Sequence, residues 1–205
     1  MGHTIFCQLF ANEKEQISLL KFPYIRLIKP GLERFAGTKK YLATADVDNA
    51  SVNMNPSIID YENRESRANM QPIKNSVWFA KMKNSVKHIF LSDSANYLTN
   101  EFVFSTGFCG IKCDTISFEY VLNYVSLPYF EITKDKLAHG ATQEAINNED
   151  LTSLSIHLPP KDKLANFHQK TEKLYRFITT IEEQTYRLIQ EKEKLLPLLI
   201  NGQLQ

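Results

Sequence analysis

The chain has 205 residues, 43% of them hydrophobic, which is enough for one compact domain with an extended element attached. Its 24 Lys and Arg residues almost balance 23 Asp and Glu residues, which excludes a protein that coats nucleic acid by bulk charge. Three cysteines without the paired spacing of a zinc site or a disulfide framework indicate reduced thiols. Because the sequence shows no signal-like N-terminus and no apolar run near the roughly 20 residues of a membrane span, we expect a soluble, cytoplasmic protein.

The first 130 residues or so contain short segments that are typical of strands. Aromatic and β-branched residues dominate these segments, and clusters of Gly, Asn, Asp and Pro separate them. The predicted strands are Phe22 to Ile28, Tyr41 to Val47, Val77 to Lys81, His88 to Leu91 and Phe102 to Ser105. One helix is predicted from Ser117 to Leu127, where apolar residues recur three and four apart before Pro128 interrupts the pattern. The region therefore predicts a compact domain that is α+β or mostly β.

A long helix is predicted from Lys161 to Leu196, a densely charged stretch without Gly or Pro. Its apolar positions alternate by three and four over five heptads, as in a coiled coil. Roughly 36 residues at about 1.5 Å each give about 54 Å, longer than a small domain is wide, so we expect a helix of a second chain beside it. Packing on its own domain is the alternative. The predicted seam is Leu164, Phe167, Thr171, Leu174, Ile178, Ile181, Thr185, Leu188, Lys192, Leu195 and Leu199.

The C-terminal end of this helix carries two further expectations. Pro197 should kink or end the helix near Glu193 to Leu196, because proline removes a backbone hydrogen bond. The leucine-rich segment 195–200 should be buried against a neighbour.

Residues that carry catalysis are hard to find in this sequence. It lacks a Gly-rich cofactor loop, an Asn-Pro-Pro-Tyr type methyltransferase loop and a phosphate-binding Walker loop. The five histidines show no metal-ligand spacing, so we predict no metal and no cofactor. A cysteine-dependent enzyme at Cys109 or Cys113 is a weaker alternative, for which only the nearby Lys112 offers a means of lowering the thiol pKa.

Local basic clusters with polar and aromatic neighbours provide the chemistry that contacts phosphates and base edges. Each cluster alone is also typical of a solvated surface, but together on the loops of one domain they predict a DNA-binding surface. The candidate residues are Lys39, Lys40, Arg64, Arg67, Lys81 and Lys83. A coiled-coil assembly module that does not bind DNA is the alternative, and the near-neutral net charge of +1 favours it.

A more specific pattern runs through residues 140–147 (GATQEAIN) and 156–160 (IHLPP). It resembles the end of a target-recognition domain in the specificity subunits of type I restriction-modification systems, where Gly-x-Thr-Gln leads into Leu-Pro-Pro and a long helix. Residues 195–204 resemble the closing segment of the same family, and residues 37–38, 41–47, 66–68 and 104–108 resemble its recognition domain. The resemblance covers about residue 35 to the end of the chain.

The resemblance implies a division into a target-recognition domain at residues 1–158 and a spacer and dimerisation helix at residues 161–200. It adds Thr142 and Gln143 to the candidate DNA contacts, with a purely structural turn as the alternative for both. The helix residues implied in dimerisation and spacing are Leu164, Phe167, Leu174, Ile178, Ile181, Leu188 and Leu195.

Two departures from the family pattern accompany the resemblance. Lys161 and Asp162 stand where the family usually has a Glu-Gln pair. The chain also has one domain and one helix, where the family has two of each with the helices antiparallel. Two copies would rebuild a symmetric, two-part reader. The implied partners are double-stranded DNA, methyltransferase subunits and a restriction subunit, and the chain itself is expected to be non-catalytic.

Overall fold

The computed structural model describes residues 2–52 and 56–201, and it confirms an α+β domain followed by a long C-terminal helix. The helices in these ranges are α1 (Gly2–Phe10), α2 (Asn96–Glu101), α3 (Phe118–Val125), α4 (Pro128–Leu137) and α5 (Lys161–Ile200). The strands are β1 (Gln16–Ser18), β2 (Ile25–Leu27), β3 (Thr38–Leu42), β4 (Val47–Asp48), β5 (Ser51–Val52), β6 (Ser57–Asp60), β7 (Ala68–Met70), β8 (Ser76–Ala80), β9 (His88–Leu91), β10 (Phe102–Ser105), β11 (Phe108–Cys113) and β12 (Ser155–His157).

The strands form two four-stranded sheets and two short pairs. One sheet has the order β6-β3-β10-β7, with β10 parallel to β3, and the other has the antiparallel order β2-β11-β8-β9. The turn between β10 and β11 joins the two sheets. Antiparallel pairing of β1 with β12 holds the beginning of the domain next to the residues that lead into α5.

Two apolar clusters form most of the core. One lies where α1 and α3 pack against the start of α5, and the aromatic rings of Phe6, Phe10 and Phe167 contact one another there. The other surrounds the fully buried Trp78, whose ring leaves no room for a side chain on the facing strand. A Cβ at Gly110 would lie 2.5 Å from this ring, so the close strand packing requires glycine.

The predicted elements agree with the structure where the signal is local. The strands at 88–91 and 102–105 are confirmed, and the helix predicted from Ser117 to Leu127 corresponds to α3. The segment predicted as a strand from Tyr41 to Val47 is only partly extended, because a 3-10 turn interrupts it. Pro128 does not end helical structure but starts α4, since proline is well tolerated at the first position of a helix.

The long helix α5 spans 40 residues and continues through Pro197 to Ile200, so of the predicted kink or end near Glu193 to Leu196 the end is wrong. Its buried residues follow steps of three, four, four, four and seven, or about 3.7 residues per turn, which is the spacing of a straight helix on a domain rather than of a coiled coil. They are Leu164, Phe167, Thr171, Tyr175, Thr179 and Tyr186. The alternative of packing on its own domain is therefore correct for this stretch.

The predicted seam consequently divides between two environments. Leu164 and Phe167 are fully buried in the core of their own domain, which corrects their assignment to a dimer seam. Ile178 is partly buried against the same core. Ile181 and Leu188, like Leu195, are exposed. Residues 202–204 of the closing segment lie outside the described residues.

Candidate nucleic-acid interface

The loop at residues 139–147 is bonded to the turn that follows β8, although about 60 residues separate them in sequence. The backbone N–H of Lys83 donates to the carbonyl of Glu144 (2.9 Å), and the N–H of Ile146 donates to the carbonyl of Lys81 (3.0 Å). Two predicted contact regions thus form one continuous surface.

Glycine has a specific function in this loop. Gly140 has a φ of 139°, and a Cβ there would lie 2.5 Å from the carbonyl oxygen of Gln143, so any other residue would strain the turn. Thr142 and Gln143 are both exposed. The Gly-x-Thr-Gln pattern therefore has a physical basis, a tight turn that presents two polar side chains.

Arg67 and Lys81 form a basic pair beside this loop. The turn between β10 and β11 fixes both residues, because the N–H of Thr106 donates to the carbonyl of Arg67 and the N–H of Lys81 donates to the carbonyl of Gly107 (both 2.9 Å). Burial lowers the pKa of Lys81, and the charge of Arg67 acts in the same direction. Neither side chain forms an ion pair with a carboxylate within the described ranges. Two adjacent cations without a carboxylate fit a phosphate group.

Lys83 is less available for binding a ligand than Arg67 and Lys81 are. Its Nζ forms an ion pair with Glu144 (2.7 Å), which ties the turn after β8 to the loop at 139–147. The neighbouring Lys87 donates to the carbonyl of Thr44 (2.7 Å). These two lysines hold loops together, and only their residual exposure leaves them open to a ligand.

Lys40 has a structural position that the sequence did not reveal. It belongs to β3, and its Nζ reaches α5, where it donates to the hydroxyl of Tyr186 and to Oε1 of Gln190 (3.2 Å). Glu101 lies 3.9 Å away, and the lysine side chain is only 20% exposed. Lys40 therefore joins the sheet to the long helix, and its assignment as a DNA contact is corrected on that ground.

Lys39 and Arg64 belong to a second surface, the aromatic-basic patch, together with Arg34, Phe35 and Tyr61. The two rings meet edge to face at 5.6 Å, Lys39 lies over Phe35 at 5.1 Å, and Arg64 lies over Tyr61 at 4.2 Å. Phe35 and Tyr61 were not predicted from the sequence. The available signal was that Phe35 follows Arg34 directly and that Tyr61 lies three residues before Arg64.

The loop from the patch to the basic pair has a defined conformation. The carboxylate of Asp60 accepts hydrogen bonds from the backbone N–H groups of Glu62 (2.9 Å) and Asn63 (2.8 Å), as in an Asx turn. Hydrogen bonds from Asn63 lower the pKa of Asp60. The loop then reaches Arg67, so the patch and the basic pair are linked by a short, ordered segment.

The two candidate nucleophiles, Cys109 and Cys113, are buried in β11. Burial raises the pKa of Cys109 to about 12 and raises that of Cys113 as well. The reactive thiolate is therefore negligible near neutral pH, which argues against the cysteine-dependent enzyme.

The described residues contain neither a cluster that could hold a metal ion nor a helix that could cross a membrane. In residues 2–52 and 56–201, no group of three or more His, Cys, Asp and Glu side chains is placed to hold a metal ion. No helix in the same ranges has the length and apolar character needed to cross a membrane.

Comparison with known proteins identifies the fold. No protein-family model matches the sequence, and no curated protein matches it. A chain from a structural study of complex assembly and conformational transition of the type I R-M system aligns with 89% of this chain and 49% of its own length, with a TM-score of 0.55 and 20% identity. The HsdS subunit from Thermoanaerobacter tengcongensis aligns with 84% of this chain and 47% of its own length, with a TM-score of 0.47 and 19% identity. The chain thus spans about half the length of these structures. It has the fold of part of a type I restriction-modification chain, as the sequence resemblance predicts.

Proposed function

We propose that the protein is a specificity subunit of a type I restriction-modification complex, a cytoplasmic, non-catalytic subunit that reads one DNA half-site. Because one fold can host many functions, the proposal needs a site as well as a fold. The observation that carries it is the basic pair, Arg67 and Lys81, which has no carboxylate partner among the described residues and lies beside the exposed loop of Thr142 and Gln143.

The surroundings of the basic pair suit a groove of duplex DNA. Cations that contact phosphates fix the position of a protein on DNA, and polar side chains near them contact base edges. Arg67 and Lys81 have the first property, and Thr142 and Gln143 have the second. The aromatic-basic patch supplies further cations at the other end of an ordered loop. A nearly neutral chain can thus bind DNA through one locally basic face.

A second copy of the chain is the partner that best fits the exposed side of α5. An exposed stripe is formed by Phe177, Ile181, Leu188, Leu195 and Leu199. Its steps of four, seven, seven and four residues read the same in both directions about the central leucine. At about 100° per residue, the stripe lies about 130° around the helix from the centre of the side that packs on the domain.

A palindromic stripe is self-complementary in an antiparallel pair. With a two-fold axis at Leu188, Phe177 of one chain meets Leu199 of the second copy, and Ile181 meets Leu195. Such an isologous contact closes as a dimer and places the two domains at opposite ends. In this proposal methyl transfer and cleavage belong to separate methyltransferase and restriction subunits that dock on the dimer. The dimer itself recognises the DNA and sets the distance between the two recognition domains.

DNA binding is tested by fluorescence anisotropy with a 30-base-pair duplex of mixed sequence, titrated at several salt concentrations. We expect the affinity to fall linearly on a log-log plot against salt, because bound phosphates release counterions. The double variant Arg67→Gln/Lys81→Gln should lower the slope by about two. Lys173→Gln, which removes an exposed charge on α5, is the matched control and should keep the slope.

If the wild-type chain shows no salt-dependent binding even at low salt, the proposal fails and the coiled-coil assembly module is favoured. Light scattering on the wild-type chain tests the partner separately, and the expected mass is twice that of one chain. A truncation before α5 is unsuitable for this purpose, because Leu164 and Phe167 are part of the domain core.

A further inference from the structure

A fully buried lysine joins α4 to the turn that connects β8 with β9, which spans residues 81–87 and is called the hairpin turn here. The Nζ of Lys134 donates to the carbonyl of Ala80 (3.3 Å) and to that of Ser85 (3.0 Å). It also forms an ion pair with Glu131 (2.6 Å). One ammonium group thus binds the start of the hairpin turn and its far side simultaneously.

Two more residues of α4 contact the same turn. Glu131 accepts a hydrogen bond from Nε2 of His88 (2.8 Å), and Asp135 accepts one from the backbone N–H of Asn84 (3.1 Å). Burial alone would raise the pKa of Glu131, but its contacts with His88 and Lys134 outweigh burial and lower it. Glu131 is therefore ionised, and the helix holds both strand ends and the tip of the turn.

This arrangement is more than the domain core requires. A buried ammonium group loses its hydration, and apolar residues could fill the same volume at lower cost. Asn84 has a φ of 54°, a left-handed conformation that asparagine adopts more readily than most residues, so the tip of the turn is tight. The hairpin turn also carries Lys81, Lys83 and Lys87, so its conformation determines where three cations lie.

We propose that α4 is a brace for the hairpin turn, in which Lys134, Glu131 and Asp135 are positioning residues for Lys81 and Lys83. The inference rests on the proposed DNA-binding function and extends it to residues that do not touch DNA. A turn that is already ordered loses little conformational freedom when a ligand binds, so the brace increases affinity without adding a contact.

The test compares Lys134→Met with Lys136→Met, which removes an exposed lysine two residues along the same helix. Hydrogen exchange in the full-length protein should become at least about tenfold faster at the amides of Asn84 and Lys87 in Lys134→Met. The amide of Ile111 in β11, remote from the turn, serves as the internal reference. Lys136→Met should leave all these rates unchanged.

Binding of the mixed-sequence duplex distinguishes positioning from direct contact. We expect Lys134→Met to weaken affinity about tenfold at an unchanged salt slope, because the bound state keeps the same phosphate contacts. A slope reduced by about one would overturn the inference, since Lys134 would then act as a phosphate contact. Unchanged exchange in the hairpin turn would overturn it as well.

A second variant covers the case in which Lys134→Met fails to fold. Asp135→Ala removes only the acceptor of the Asn84 N–H and should accelerate exchange of that amide while the rest of the domain stays protected. If Asp135→Ala leaves hydrogen exchange at the Asn84 amide unchanged, α4 does not brace the hairpin turn. If the wild-type chain does not bind DNA at all, the proposed function fails, whereas the exchange experiment still decides whether α4 braces the turn.

Discussion

The N-terminal and C-terminal parts of α5 both carry apolar side chains but have different surroundings. From Lys161 to Tyr186 the helix buries a stripe in its own domain, and this stripe ends at Tyr186. From Arg187 to Ile200 every described side chain is exposed or half-buried, even in the leucine-rich segment 195–200. The helix is therefore a core element up to Tyr186, and the exposed stripe that runs on beyond Tyr186 is the face that we propose to meet a second copy. Apolar periodicity alone does not distinguish these uses, because the buried and the exposed stripe both average about 3.7 residues per turn.

The largest effect should come from Phe167→Ala in the first half. Phe167 is fully buried against Phe6 and Phe10, so its removal leaves a cavity and should lower the free energy of unfolding by about 3–5 kcal/mol. Urea denaturation measures this loss. Phe177→Ala, at a position that is 62% exposed, is the matched control and should change the monomer by less than about 0.5 kcal/mol. Equal effects at both positions would contradict the division of the helix.

Leu188→Glu tests the second half. In an antiparallel dimer the new carboxylates face each other across the two-fold axis, so the dissociation constant should rise about 100-fold, or about 2.7 kcal/mol. Sedimentation equilibrium over a range of concentrations measures the change, and circular dichroism verifies that the domain stays folded. Leu188→Met keeps the apolar contact and should remain dimeric. A dimer that tolerates Leu188→Glu would place the interface elsewhere.

Tyr186→Phe tests the boundary between the halves. The Tyr186 hydroxyl accepts a hydrogen bond from Lys40 and donates one to Glu101 (2.6 Å), so its loss should cost about 1–2 kcal/mol of unfolding free energy. A double-mutant cycle with Lys40→Met assigns the energy to this contact. Additive effects would mean that Lys40 does not hold the helix, and its assignment to DNA binding would have to be reopened.

The sequence predicted the elements that carry a local signal and not those that depend on long-range contacts. Strand β9 was predictable because its apolar and β-branched residues carry a local signal. Helix α1 was not, since nine residues are too few for a stable isolated helix and it depends on packing of Phe6 and Phe10 against α5. The position of Lys40 was equally hidden, because its partner Tyr186 lies 146 residues away.

In the candidate site, too, local motifs were predictable and long-range contacts were not. Thr142 and Gln143 were identified from a motif, which a glycine-dependent turn explains in the structure. The basic pair could be suggested only as two separate clusters, because the turn between β10 and β11 brings Arg67 beside Lys81. Which cations remain without a carboxylate depends on the folded chain, and no spacing rule supplies that information.

The smallest effect concerns Glu182, which lies on the domain side of α5 at a cavity of about 220 Å³ that Tyr97 and Leu98 also line. Burial raises the pKa of Glu182 to about 7, above the usual 4.5. The folded state therefore binds the proton more tightly, so this group stabilises the fold below about pH 4.5 and that contribution disappears as the pH rises through 7.

The free energy of unfolding of Glu182→Gln should match that of the wild type at pH 4.5 and exceed it by about 1 kcal/mol at pH 8, a value reduced for partial solvent screening. Urea denaturation at both pH values measures the difference. Glu183→Gln, whose carboxylate already pairs with Arg187 (2.6 Å), should show no such gain. A pH-independent difference at Glu182 would mean that the domain side of α5 is open to water there, and that the boundary between core and interface lies before Tyr186.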